Sequence, residues 1–308
     1  VITCAPDDVS LFIQHPDIVG VSFVGSSETG ARVYAEAAAE GKRVQVLGEA
    51  KNHALVMADC ALERTAAGII NAFCGCAGQR CMALPVVVAE EPVADALVRL
   101  LREKAAHLKL GPAYDKNTTL GPLVSASRRK NVLDWIGRGI REGAELVLDG
   151  RGISVPGYEN GFFIGPTLFD HVTPGMSIGE QEIFGPVLCI KRVRDFEEGL
   201  SVMNANPFAN GSVIYTQNGR YAREFTRRTH GGMVGVNVGI PVPVCSFGFT
   251  GHKRSFFGDL HTMGTDGVRF YTEKKTVTST WFEDGHSGTV DTWDGTLGSL
   301  SENSGKRN

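Results

Sequence analysis

The feature that most restricts the fold of this chain is its alternation of short, β-branched apolar runs with longer stretches of helical period. Ile18 to Val24, Arg43 to Leu47, Ala54 to Met57, Pro85 to Glu90, Val187 to Val193, Gly211 to Tyr215 and Gly235 to Val238 read as strands. Between them lie helical patterns at Ala31–Ala39, Ala61–Phe73, Pro92–Lys109, around Val132–Ile140 ended by Gly143, Phe196–Asn204 and Tyr221–Arg228. Strands that alternate with helices of this length predict an α/β fold with largely parallel sheets. Val1 to Ala5 reads as a further strand already under way. Phe270 to Trp281 alternates threonine, charge and apolar residues, as a strand with one wet face does. Glu283 to Asn308 has little to bury and reads as a disordered tail.

Composition narrows the function. The 308 residues are 42% hydrophobic and 21% charged, enough for a large core and roughly two domains. The net charge of -3 leaves no basic field for a nucleic acid, and no apolar stretch is long enough to span a membrane. Seven cysteines, an odd number, read as reduced thiols. Cys74, Cys76 and Cys81 cluster, but their spacing fits no zinc pattern and no histidine stands beside them, so no metal is expected. His53, His171, His230 and His261 have no spaced partner and read as structural or exposed. No leader peptide is visible.

Three places can hold chemistry. The loop Gly25-Ser26-Ser27-Glu28-Thr29-Gly30 joins a buried strand to a helix, where free N–H groups favour an anion; a glycine turn with a serine cap explains it as well. In Cys74-Gly-Cys-Ala-Gly-Gln-Arg-Cys81 the small residues allow a ligand close to the backbone, and Arg80 puts a cation beside Cys81, which favours the nucleophilic thiolate. All three cysteines can equally be small buried hydrophobes. In Glu182-Ile-Phe-Gly-Pro186 one acid stands in an apolar turn, as a ligand contact or as a surface cap.

SFVGSSETG (22–30), GQRC (78–81) and EIFGPV (182–187), in this order and spacing, resemble the aldehyde dehydrogenase superfamily. GEAKNH (48–53), AGQRCMAL (77–84), GYENGFFIGPT (157–167), NVGIPVPV (237–244) and FTGHKRSFFGD (249–259) look most like its CoA-acylating methylmalonate-semialdehyde branch, closely similar to the malonate-semialdehyde one. The resemblance implies an α/β fold in three parts. These are the C-terminal half of a Rossmann-like NAD domain (1–47), a catalytic domain (48–250) and an oligomerisation segment with its strand (251–282), with the tail following.

The resemblance also assigns roles. It implies Cys81 as nucleophile and Arg80 as the arginine that recognises the substrate carboxylate. Gly25 and Ser26 match the loop facing the NAD pyrophosphate, Glu182 the acid holding the nicotinamide ribose, and Phe184 the aromatic beside the ring. It implies NAD as cofactor, coenzyme A as co-substrate, a homodimer or homotetramer, and a place in the bacterial cytoplasm or the mitochondrial matrix.

Two departures stand out. Hydrolytic members carry a glutamate base in E-L-G-G-K, whereas here the base falls on Val46 or Leu47, neither of which can activate water. Glu49 is a possible stand-in, though offset by two or three residues. The family also has a long segment before the point where this sequence begins, with most of the nucleotide-binding domain and the other oxyanion donor. A hydrolytic aldehyde dehydrogenase and a catalytically dead scaffold remain the alternatives.

Overall fold

Most of the strands and helices expected from periodicity form in a computed structural model, which describes residues 1–279 and 281. In chain order the elements are α1 (Val9–Gln14), β1 (Gly20–Val24), α2 (Ser27–Ala39), β2 (Arg43–Leu47), β3 (His53–Val56), α3 (Leu62–Cys74), β4 (Val86–Glu90), α4 (Glu91–Ala106), α5 (Ala126–Arg141), β5 (Glu145–Leu148) and β6 (Thr167–Asp170). They continue with β7 (Val187–Val193), α6 (Phe196–Ala205), β8 (Phe208–Ala209), β9 (Gly211–Tyr215), α7 (Gly219–Arg228), β10 (Met233–Val236), β11 (His252–Lys253), β12 (Phe256–Phe257) and α8 (Gly264–Phe270).

Two main sheets result. β1 and β2 run parallel, and β12 returns antiparallel on the far side of β2. The larger sheet has the order β10-β9-β3-β4-β7-β6-β5, parallel throughout except for β5 on β6. A parallel sheet is covered on both faces, so its central strands must be apolar on both sides. β4 meets that demand with Val86, Val87, Val88 and Ala89 all buried, and β7 with Val187 to Ile190. Around them α3, α4, α5 and α6 bury their apolar stripes in one continuous core. No helix among the described residues is long and apolar enough to cross a membrane.

α2 begins one turn earlier than its apolar pattern suggests. Ser26 caps it, its Oγ accepting from the Thr29 N–H at 3.3 Å, so the expected loop is already helix from Ser27. Gly30 then lets the helix lie against β2, since a Cβ there would sit 2.5 Å from a Val46 methyl.

Two expected strands are absent. Val1–Ala5 has no regular structure and lies exposed, because the Ala5 N–H turns instead to Asp8 Oδ2 at 2.9 Å and leads into the turn at Pro6–Asp8. The C-terminal oligomerisation strand expected at Phe270–Trp281 is likewise not formed. Phe270 ends α8, and the Thr272 hydroxyl donates back to the Val268 carbonyl at 2.8 Å. Residues 273–279 and Trp281 carry no regular element and are exposed; they belong to a second unit that begins at Glu273. An alternating pattern becomes a strand only where another strand supplies the ladder, and the described residues offer none here. The tail expected at 283–308 lies outside the described residues.

β3, an interior strand of the large sheet between β9 and β4, is the strand onto which the chain crosses from the first sheet. Its Leu55 is fully buried beneath Gly199 of α6, where an added Cβ would lie 2.4 Å from Leu55 Cδ1. Leu55→Ala should therefore leave a cavity and cost about 3 kcal/mol. The expected reading is a lower urea midpoint at unchanged m; a loss below about 1 kcal/mol would show that the site collapses to fill itself.

Candidate active site

α3 ends at Cys74, and the chain turns through Gly75–Gly78 with Cys76, Ala77 and Gly78 all at positive φ (54°, 52° and 71°). Two of these carry a side chain in a backbone region that disfavours one, so neighbouring structure must hold the turn in place. The holding contact is with the distant EIFGP loop. A Cβ on Gly78 would lie 2.2 Å from the Gly185 carbonyl oxygen, so only glycine permits this approach. Phe184 also sits at positive φ, 57°. The result is a narrow cleft lined by Ala50, Phe73, Cys81, Glu182, Ile183 and Phe184 among others.

Cys81 is exposed at this cleft. Its carbonyl oxygen accepts from two buried amides, Asn52 Nδ2 at 2.9 Å and Asn210 Nδ2 at 3.1 Å. Asn52 also donates to the Ala83 carbonyl at 2.7 Å and accepts from the Gly211 N–H at 2.8 Å, so one side chain ties the cysteine loop to β9. Burial pushes the Cys81 thiol up, and the Glu182 carboxyl adds to this. The N–H groups of Cys81 and Met82 and the Arg80 charge work the other way, favouring the thiolate.

Arg80 does not open freely into the cleft. Its Nη2 donates to the carbonyls of Asn71 and, at 3.1 Å, Ala72, so it neutralises the C-terminal end of α3. The guanidinium lies over Gly75, where a Cβ would be 2.4 Å from Nη2. Its Nε is buried without a partner. Gln79 ties the same loop down, its Oε1 accepting from the Val124 N–H at 3.0 Å.

Glu182 is half-buried, and its Oε1 accepts from the Ala50 N–H at 3.0 Å. Burial pushes its carboxyl up to about 7. The nearby Glu49 adds to that shift, while the Ala50 N–H, Lys51 and Arg128 oppose it. Arg128 also lies 5.8 Å from the Phe184 ring centroid. Gly25 and Ser26 stand exposed at the start of α2, with the Gly25 N–H bound to the Leu47 carbonyl at 3.1 Å. Val46 is fully buried and Leu47 partly so; both belong to β2 and neither carries a polar group. Glu49 is not turned to the cysteine for a base's work: its Oε2 accepts from the Ser27 N–H at 3.1 Å.

Sequence reasoning assigned no role to Ala50, Lys51, Asn52 or Asn210. Lys51 is 2% exposed, its Nζ donating to the Ile178 carbonyl at 2.8 Å, and burial lowers its pKa. The one available signal was polar residues, Lys51 and Asn52, in a stretch leading directly into a buried strand. His53 is buried with its Nδ1 against the Lys51 carbonyl, and desolvation pushes it down to about 3, so it is neutral. A roomier cavity of about 590 Å³ lies by the outer strands, but its Arg192 is engaged by Asp170, Glu91 and Asp95, and it holds no nucleophile.

The raised Glu182 carboxyl makes stability depend on pH. An acid whose pKa is raised on folding stabilises the fold below its unfolded value, near 4.5, and that contribution is lost as pH rises through about 7. Urea midpoints should therefore fall between pH 4.5 and 7 more steeply in the wild type than in Glu182→Gln. Parallel profiles would show that the carboxyl titrates normally.

Comparison with known proteins places the chain in a family. The chain is 48% identical over 276 residues to malonate-semialdehyde dehydrogenase 1 of Bacillus licheniformis, a match that covers 90% of the chain and 56% of that protein. The malonate-semialdehyde dehydrogenase of Pseudomonas aeruginosa is 48% identical over 270 residues, covering 87% of the chain and 54% of the relative. Among solved structures, the methylmalonate-semialdehyde dehydrogenase of Oceanimonas doudoroffii superposes with a TM-score of 0.89 at 43% identity, covering 91% of this chain and 58% of that one. The 1-pyrroline-5-carboxylate dehydrogenase from Thermus with bound NAD superposes at 0.78 with 30% identity, covering 85% and 51%. The chain thus spans about half the length of the relatives it matches. The model of the aldehyde dehydrogenase family matches residues 1–277, and the chain belongs to that family.

Proposed function

We propose that this chain is the nucleophile-bearing part of an NAD-dependent, CoA-acylating dehydrogenase of methylmalonate or malonate semialdehyde. The observation that carries the reading is the cleft in which the Gly78–Gly185 contact brings Cys81 beside Glu182 and Phe184. In this reading residues 1–47 are the second half of an NAD domain, 48–250 the catalytic domain and 251–282 the oligomerisation segment of a homodimer or homotetramer. The relatives named above with an organism are bacterial, which favours a bacterial cytoplasm.

The residues present fit NAD in part. Gly25 and Ser26 would face the pyrophosphate at the α2 N-terminus. Glu182 would accept from the nicotinamide ribose, and Phe184 would stack beside the ring. NAD, when bound, supplies the hydride acceptor. The chain's own work begins with the Cys81 thiolate attacking the aldehyde carbon, forming a C–S bond while the oxygen takes the negative charge. The N–H of Cys81 would be one donor to that oxyanion. Loss of hydride from the carbon leaves a thioester on Cys81.

Val46 and Leu47 then matter by what they lack. With no carboxylate there to take a proton from water, the thioester survives for attack by the CoA thiol, which displaces Cys81. Before that attack the β-carboxylate of the Cys81 thioester leaves as CO2 or bicarbonate, the electrons of the broken C–C bond passing to the α-carbon, which takes up a proton; CoA then carries the acyl group off as propionyl-CoA or acetyl-CoA. Arg80 would recognise that carboxylate before it leaves. Its place among the residues that line the cleft with Cys81 supports this, since a planar cation there suits an anionic substrate.

A catalytically dead relative is the second reading. It is favoured by Glu49, whose carboxylate lies on the α2 N-terminus where the pyrophosphate would bind.

Activity and selectivity separate these readings. NADH formation from methylmalonate semialdehyde should require CoA, yield an acyl-CoA by mass spectrometry, and vanish in Cys81→Ala; free acid without CoA would mean a hydrolytic enzyme. No NADH and no NAD binding by the folded chain would favour the dead relative. Arg80→Leu should lower kcat/KM for methylmalonate semialdehyde at least about tenfold more than for propanal, which has no carboxylate to lose. Equal losses would leave Arg80 only its role on the α3 carbonyls.

A further inference from the structure

The start of α2 already holds an anion that belongs to the chain. Of the N–H groups that open this helix, that of Ser27 donates to Glu49 Oε2 at 3.1 Å, and that of Thr29 to the Ser26 hydroxyl at 3.3 Å. Glu28, also in the first turn, adds a second acid to the same positive end. The Glu49 carboxylate stands there because its backbone is fixed on every side. The Glu49 N–H donates to Ser27 Oγ at 2.9 Å, and Ser27 Oγ donates to the Arg254 carbonyl at 2.8 Å. Ser255 Oγ donates to the Glu49 carbonyl at 2.6 Å, and the Gly48 N–H to the Ser255 carbonyl at 2.9 Å. Gly48 itself is wedged, since a Cβ there would be 2.6 Å from both Ser27 Oγ and the Arg254 carbonyl oxygen.

We infer that Glu49 is a tethered competitor for the anion site at the head of α2, which a diphosphate-bearing ligand occupies only by displacing the Glu49 carboxylate. The inference rests on the dinucleotide reading given above and adds a specificity-determining residue to it. An anion carried on a pinned backbone meets the helix start at high effective concentration, so an external diphosphate must overcome it on every binding event. Displacement turns only the side chain. The carboxylate then leaves a favourable dipole for solvent or for the side of Glu182, another acid. Burial raises the Glu182 carboxyl first, and the charge of Glu49 on the adjoining segment adds to it.

The test is calorimetric titration of the 308-residue chain, its Glu49→Gln and its Glu49→Gly variants, with inorganic pyrophosphate and separately with NAD. Thermal melts establish that all three fold. Pyrophosphate should bind Glu49→Gly about tenfold more tightly than wild type at low ionic strength. Glu49→Gln should gain less, because its amide oxygen still accepts from the Ser27 N–H without the charge. The gain should shrink in high salt.

Tightening with pyrophosphate but no NAD binding by any form would uphold the competitor and overturn the dinucleotide reading. Equal NAD and pyrophosphate affinities in all three forms would overturn the competitor and leave that reading intact. Failure of every form to take up pyrophosphate would overturn the inference, since freeing the helix start would then have created no anion site.

Discussion

The arrangement depends on a single strand of chain, Gly48 to Asn52, which crosses from the smaller sheet to the larger one. Four consecutive residues each hold a different part of the chain, two of them parts of the cleft. The Glu49 carboxylate binds the start of α2, and the Ala50 N–H binds Glu182. The Lys51 ammonium binds the Ile178 carbonyl, and the Asn52 amide binds the carbonyls of Cys81 and Ala83. Such a segment lies where water is scarce, so each polar group needs a protein partner, and those partners fix the geometry of everything they touch. Lys51 illustrates the demand: its buried Nζ donates to a carbonyl, and burial lowers its pKa.

The second constraint is steric. Gly78 against Gly185 brings together two loops that are distant in the chain, and the left-handed backbone at Cys76, Ala77 and Phe184 is the local strain that this contact sustains. Electrostatics follow from the geometry. Glu182 is enclosed beside a second acid and titrates near neutrality, while Cys81 feels burial and Glu182 against two N–H groups and Arg80. The cleft therefore holds a thiol and a carboxyl that burial pushes up together. Arg80 lines the same cleft and closes the carbonyl end of α3 with one nitrogen, while its Nε is buried without a partner.

Much of the fold was legible because the central strands carry their own signal. Val187–Val193 and Gly211–Tyr215 match the expected bounds, as runs of β-branched and other apolar residues bounded by glycine, proline or charge must. β5 and β6 were not read. Each has four residues, and β6 ends in Asp170, a buried acid that makes sense only beside Arg192 on the neighbouring strand. The α1 helix, six residues long, is too short to show a period. Phe270–Trp281 shows the opposite error, a strand-like alternation with no ladder to join among the described residues.

The candidate site divides in the same way. Glycine placement, the Arg80–Cys81 pair and the acid of EIFGP could be picked out by residue type and spacing, because a tight loop, a cation beside a thiol and an isolated acid are local facts. That Arg80 turns back to α3, that Glu49 reaches the head of α2, and that Asn52 and Asn210 share the Cys81 carbonyl were decided by tertiary structure alone. These are hydrogen bonds between groups up to 129 positions apart in the chain. Local preference governs which residues coil or extend, but a long-range polar contact forms only when packing has brought both partners out of water together.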